Sequence, residues 1–268
     1  MMKITSTLPR LLAALTLALL TLPALAAPLR LAIPPFFAEE ETRTTFTPLA
    51  DYLSKTIGQE IQLVTYPNYL SFWEKARQGG SYELVLDSAP MTDFRIQRQK
   101  FNVVARLDGQ VTQSLVTAPD LTVLDPQELV NRRVATQPSP SVSSLVLYQI
   151  FSNPTRQPRL VHTDTTRAAV EAVLNGKAEA ALIPTPIAAG YPNLNVVMTT
   201  QAIPFLAMSA APGVPVDMRD KLRTALVQAK DTEAGREVLR KSNLSAFVPS
   251  QNNEYTGQAE LLRGTFGY

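Results

Sequence analysis

The sequence predicts an α/β fold of two lobes joined by two extended hinge connections. Three observations lead there. Strand and helix signals alternate almost throughout the 268 residues, which argues for largely parallel sheets covered by helices. The stretch from Val134 to Pro184 forms a strand–helix–strand–helix–strand block of its own. Two long extended runs, Asp108 to Thr117 and Asn195 to Ser209, lie on either side of that block and tie it to the rest. The arrangement that follows is a discontinuous first lobe, residues 27–110 and 205–268, and a continuous second lobe, residues 111–204.

Residues 1–26 stand apart from this fold. Lys3 and Arg10 precede the apolar run LLAALTLALLTLPALAA, which has small residues at Ala24 and Ala26. That is the pattern of a secretory signal peptide cleaved after Ala26. A membrane anchor fits less well, because the run is shorter than the ~20 residues a span needs and Pro23 interrupts it. No cysteine follows the small residues, so no lipid anchor is expected.

In the first lobe, Leu29 to Ile33 is a short apolar strand ended by Pro34-Pro35. Thr47-Pro48 marks a helix start whose face carries Leu49, Leu53 and Ile57 and which Gly58 stops. Glu60 to Thr65 alternates as a strand. Pro67-Asn68 leads into a helix with Tyr69, Phe72, Trp73 and Ala76 at helical spacing, ended by Gly79-Gly80. Leu84 to Leu86 is a buried strand, DSAP at 87–90 a turn, and Asn102 to Arg106 another strand after a helical segment. In the second lobe, the strand at Val134 ends in a serine-rich turn that opens an amphipathic helix. RLVHT, a helix stopped by Asn175-Gly176, and AALIP follow. The chain then returns through helices at Asp217 to Lys230 and Thr232 to Lys241. A polar tail from Ser250 closes it, with a short helix around Glu254 to Arg263.

Charge and composition narrow the function classes. Two of the 25 Lys and Arg residues, Lys3 and Arg10, sit in the leader, so its removal leaves 23 basic against 23 acidic side chains. A nucleic-acid partner leaves a basic footprint, and none is expected here. With no cysteine and one histidine, His162, a metal site would need mostly carboxylates, so none is expected. GxSxG, HExxH and a cysteine nucleophile are missing from the sequence, and one histidine limits general-base chemistry. Asn175-Gly176-Lys177 lacks the glycine and the Ser or Thr of a phosphate loop. The expectation is a binding protein without catalytic residues or a cofactor.

The serine-rich turn is the strongest binding signal. A helix start bearing serines presents free N–H groups and hydroxyls to one point, which suits a small anion. Ser141, Ser143 and Ser144, with Val142 between them, fit both helix capping and anion contact. Tyr69, at its own helix start, either reaches the cleft or extends the Phe72/Trp73 packing face. Ser88 and Ala89 follow a buried strand, where open α/β sheets bind ligands, and a plain turn fits them equally. Phe36 either walls the cleft or belongs to a surface loop.

In collinear order, TPLADYLSKTIGQEI, NYLSFWEKARQGGSYELVLDSAP, PSPSVSSL, AAVEAVLNGKAEAALIP and EAGREVLRKSNLSAFVP resemble segments of one family over nearly all of residues 27–268. It is the periplasmic phosphate/phosphite/phosphonate-binding proteins of ABC transporters, PhnD-like proteins of the type II periplasmic binding (Venus-flytrap) fold. The family's Ser-Thr-Ser-Gly loop corresponds to Ser141, Val142, Ser143 and Ser144, so one hydroxyl is lost. Its cleft tyrosine falls at Asp93 or Phe94, and its histidine near Thr166. Its acidic residue after the third strand of the second lobe is replaced by Pro184-Thr185-Pro186, which disfavours an aminophosphonate.

The resemblance implies a periplasmic solute-binding protein. A small oxyanion would be held by Ser141, Val142, Ser143 and Ser144, with Tyr69, Ser88, Ala89, Phe36 and Thr166 around it. The expected partner of this monomer is an ABC transporter permease. A membrane sensor kinase or cyclase as partner, and a periplasmic enzyme, are the alternatives.

Overall fold

The computed structural model describes residues 27–79, 82–265 and 267–268. The leader reading for residues 1–26 and the second glycine of Gly79-Gly80 lie outside the described residues.

One sheet takes its strands from both ends of the chain. β1 (Leu29–Ala32), α1 (Glu39–Ile57), β2 (Ile61–Val64), α2 (Tyr69–Arg77), β3 (Leu84–Asp87), α3 (Ala89–Phe94) and β4 (Asn102–Leu107) come first. β5 (Gln110–Val111) crosses to the second sheet, which is built from β6 (Gln113–Thr117), β7 (Arg133–Thr136), α4 (Val142–Ile150), β8 (Arg159–His162), α5 (Thr166–Leu174), β9 (Ala180–Pro184), α6 (Thr185–Ala188) and β10 (Asn195–Thr199). β11 (Ile203–Pro204) crosses back to β12 (Ala207–Ala210), α7 (Val216–Val227), α8 (Glu233–Lys241) and β13 (Phe247–Val248). The strand orders are β13-β4-β12-β3-β1-β2 and β10-β6-β9-β7-β8, and β5 pairs with β11 antiparallel to make the connection. This is the two-lobed α/β fold that the sequence predicts.

The sheets are more mixed than the alternating pattern suggested. Parallel pairing is confined to β2-β1-β3 and β8-β7-β9, whose strands are linked by helices. Every strand that enters from a connection runs against its neighbours: β12 beside β3 and β4, and β6 beside β9 and β10. Residues 113–117, expected as part of a crossover, are a fully buried strand paired on both sides. The run from Asn195 to Ser209 likewise divides among three sheets as β10, β11 and β12.

Helix α1 begins eight residues before Thr47-Pro48. Its first turn holds Glu39, Glu40 and Glu41, whose charges favour a helix N-terminus. The buried face Thr42, Phe46, Leu49, Ala50, Leu53 and Ile57 runs through Pro48 without interruption. Pro48 withholds a donor from the carbonyl of Thr44, which lies on the exposed face of the helix, open to solvent. Gly58 closes the helix in the left-handed region at φ 73°. The DSAP turn is shorter than expected, because α3 starts at Ala89 directly behind the strand, with Pro90 in its first turn. The tail forms two 3-10 helices, Asn252–Tyr255 and Gln258–Leu262.

Both lobes lock their middle strand in the same way. Arg30 on β1 donates to Glu83 through its backbone N (2.8 Å), Nε (3.1 Å) and Nη2 (2.6 Å). Arg133 on β7 donates to Glu179 through the same three atoms at 2.8, 3.1 and 3.1 Å. Each glutamate precedes the strand lying on the other side of that pairing, β3 or β9.

Candidate functional site: the interlobe serine turn

The carboxyl ends of the parallel strands bring two sets of loops together. Pro34 and Pro35 follow β1, and Asp87 and Ser88 end β3; opposite them, Gln137 to Ser141 follow β7 and Thr163 to Thr165 follow β8. Gln137 spans the junction: its Nε2 donates to Pro35 O (3.4 Å) in the first lobe and to Asp164 O (3.1 Å) in the second. Its Oε1 accepts from Thr166 Oγ1 at 3.2 Å. Leu145 of α4 is buried in one cluster with Tyr69, Phe72, Trp73 and Phe94 of the first lobe.

The serine turn divides its hydroxyls between structure and vacant bonding capacity. Ser141 is the N-cap of α4; its Oγ accepts from Ser144 N (3.2 Å) and donates to Gln137 O (3.0 Å). Ser143 Oγ donates to Gln113 Oε1 at 2.8 Å. Ser144 Oγ is buried and has no hydrogen-bond partner among the described residues, and the same holds for Thr136 Oγ1 at the end of β7. The N–H groups of Val142 and Ser143, in the first turn, have no intrahelical acceptor. Two amides and an unpaired hydroxyl at the positive end of a helix are donors for an anion. A buried hydroxyl left unpaired costs about 1–3 kcal/mol, which a ligand oxygen accepting from it would relieve.

The facing lobe also holds buried polar atoms without a hydrogen-bond partner among the described residues, Tyr66 Oη, Tyr82 Oη and Arg95 Nη2. Tyr69 begins α2 behind the N-cap Asn68, whose Oδ1 accepts from Ser71 N at 2.9 Å. Its ring meets Phe72 edge-on at 6.5 Å, and burial holds its phenol above the ordinary tyrosine range, so it stays a neutral donor. Ser88 is half-buried, its N–H donates to Asp87 Oδ1 (2.9 Å), and its side chain makes no capping bond. Ala89 packs with Val103, Ala207 and Tyr255. Phe36 packs against Phe46 at 6.4 Å, on the first-lobe core. Thr166 reaches the serine turn through Gln137. Asp93 Oδ2 accepts from Ala259 N (2.8 Å) and so anchors the tail, while Phe94 packs on Trp73 at 5.1 Å. His162 is exposed.

Sequence reasoning missed the polar groups that organise these loops. Gln137 and Gln113 are uncharged and carry no pattern, although Gln137 stands in the turn itself and Gln113 opens a buried strand. Asp87 and Arg95 form an ion pair at 2.9 Å, with exposures of 1% and 0%. The Arg95 guanidinium lies over the rings of Tyr82 (5.1 Å), Phe72 (5.5 Å) and Phe101 (5.7 Å). Burial pushes the Asp87 carboxyl above its ordinary value against the pull of Arg95. Burial also opposes charge on Arg95, but Asp87 keeps the guanidinium protonated. Arg95 sits in the polar run RIQRQK, where nothing in the sequence separates it from a surface arginine; only an aspartate ending an apolar strand gave a signal.

A family profile described as ABC transporter, phosphonate, periplasmic substrate-binding protein matches residues 31–255. Among solved structures, PhnD1 of Prochlorococcus marinus in complex with methylphosphonate is similar over 90% of this chain and 98% of its own, with a TM-score of 0.76 and 14% identity. A binding-protein component of an ABC phosphonate transporter from Pseudomonas aeruginosa is similar over 87% and 85%, with a TM-score of 0.72 and 14% identity. A Xanthomonas citri protein bound to ATP is similar over 90% and 100%, with a TM-score of 0.71 and 13% identity. At these identities the likeness establishes the two-lobed type II fold. None of the curated proteins matches this sequence.

Proposed function

We propose that this chain, which belongs to the phosphonate family of periplasmic substrate-binding proteins of ABC transporters, captures a small oxyanion between its lobes and delivers it to an ABC importer. The single observation that carries the ligand reading is the first turn of α4. There the Val142 and Ser143 amides and the unpaired Ser144 hydroxyl lie where the loops of both lobes meet. The anion would accept from these donors, and the amide dipoles would offset its charge without a paired lysine or arginine. Tyr69 and Ser88 would approach from the facing lobe. Residues 27–110 with 205–268 would then move against 111–204 about the β5–β11 connection. Residues 1–26 would direct export and be removed.

Thermal denaturation of the purified protein against phosphate, phosphite, methylphosphonate, sulfate and a sulfonate tests this. A true ligand at ~100 times its Kd adds about 2.7 kcal/mol to the bound state and raises Tm. The expected result is a rise with at least one phosphorus oxyanion, abolished in Ser143→Ala/Ser144→Ala. No rise with any member of the panel, or a rise that survives the double substitution, defeats the reading.

A further inference from the structure

Beside the serine turn lies a cavity of about 400 Å³ that none of the donors described above occupies. Its walls come from three parts of the molecule. Val142 and Val146 are on α4, Val111 and Ile203 on the two connections, and Leu261 on the tail of the first lobe. The remaining lining includes Met198, the Thr200 hydroxyl and the carboxamides of Gln113, Gln149 and Gln201, and no charged side chain is part of it. Two of the walls adjoin the turn. Val142 supplies one of the free amides, and Gln113 Oε1 accepts from Ser143 Oγ at 2.8 Å. A group attached to an anion at the first turn of α4 therefore enters this cavity at its Val142–Gln113 end.

We infer that the cavity receives the organic substituent of the bound oxyanion, and that the substituent is uncharged and apolar. This inference rests on the anion reading of the serine turn. The volume equals roughly a dozen water volumes of ~30 Å³ each, far more than a methyl group fills. Valine, isoleucine and leucine walls reward each methylene that leaves water. An ammonium placed there would find no carboxylate among the lining residues to pair with it. Because both lobes and both connections contribute walls, the substituent also touches the parts that move relative to one another. The preferred substrate class is thus an alkyl- or arylphosphonate of several carbons, in preference to an aminoalkylphosphonate.

Calorimetric titration of the full chain with methyl-, propyl-, pentyl-, phenyl- and 2-aminoethylphosphonate reads this directly. Each methylene that becomes buried is expected to tighten binding about fourfold, so pentylphosphonate exceeds methylphosphonate by on the order of a hundredfold. The aminoethyl compound should bind more weakly than propylphosphonate. Val146→Phe and, separately, Val111→Phe fill the cavity from two of its walls. Both should leave methylphosphonate affinity in place while removing the gain from propyl to pentyl. The inference is overturned if methylphosphonate binds but affinity is flat with chain length, if the aminoethyl compound binds more tightly than propylphosphonate, or if the chain-length gain survives both substitutions. If no phosphonate binds at all, the anion reading fails and this inference falls with it.

Discussion

The two lobes share a three-strand parallel core and the same arginine–glutamate clamp, yet they end differently where they face each other. In the first lobe, β3 closes on Asp87, whose charge is already spent on the fully buried Arg95 beneath an aromatic cluster of Phe72, Tyr82 and Phe101. In the second, β7 closes on Thr136 and leads into a turn where the hydroxyls of Thr136 and Ser144 lack partners among the described residues. Both ends keep buried polar atoms without partners among the described residues: Tyr66 Oη, Tyr82 Oη and Arg95 Nη2 around the charge pair, Thr136 Oγ1 and Ser144 Oγ beside the start of α4. The topology thus places both sets of loops at the cleft, and the lobes differ in kind: a buried charge pair among phenols and aromatic rings in the first, hydroxyls beside helix-start amides in the second. In the proposed reading the second lobe grips and the first lobe is a firm surface that closes on it.

The comparison breaks most visibly at Arg95. Arg95→Met strands the Asp87 carboxylate in the core, and the expected loss of unfolding free energy is about 3–5 kcal/mol by chemical denaturation. Asp87→Asn added to Arg95→Met should recover part of that loss, because no unpaired charge remains. A loss below about 1 kcal/mol would mean that the first-lobe end is not held by this pair.

Smaller effects are expected on the second-lobe side. Ser143→Ala removes the bond to Gln113 and should cost about 1 kcal/mol of stability. Ser144→Ala removes a hydroxyl without a partner, so the stability of the ligand-free protein should hold or rise slightly. Its methylphosphonate affinity should nonetheless fall about tenfold. A large stability loss with unchanged affinity would make Ser144 a packing residue and erase the contrast between the lobes.

The clamps should give the smallest and most even effect. Hydrogen bonds from Arg30 and Arg133 hold the carboxyls of Glu83 and Glu179 below the ordinary glutamate range. Groups lowered on folding stabilise the protein above their unfolded pKa, near 4.3, and lose that contribution as pH falls through the folded value. Denaturation followed from pH 5 to pH 3 should therefore show a shallower acid decline in Arg30→Gln and in Arg133→Gln, by similar amounts. Both pairs are part-exposed, so added salt should diminish the difference. A marked asymmetry between the two variants would show that the lobes are not locked alike.

What the sequence revealed tracks how local the physics is. Strand β3 was legible because LVLD is short, apolar and bounded by turn residues, and the N-caps Asn68 and Ser141 announced α2 and α4. The start of α1 was not, because Pro48 is a good helix opener, and only the buried stripe from Thr42 onward overrides it. Strand β6 was hidden because its partners β9 and β10 lie far along the chain. At the site, the serine turn was visible as a motif. Gln137 and Gln113 were not, because a buried amide acquires its role only from the backbone and hydroxyls that the fold sets beside it.

Whether the first-turn amides of α4 hold the oxyanion is read by amide NMR during a methylphosphonate titration. The Val142 and Ser143 N–H protons are expected to move strongly downfield as they begin to donate to a charged oxygen, with the changes saturating together. Saturable shifts elsewhere while those two amides stay fixed would contradict it.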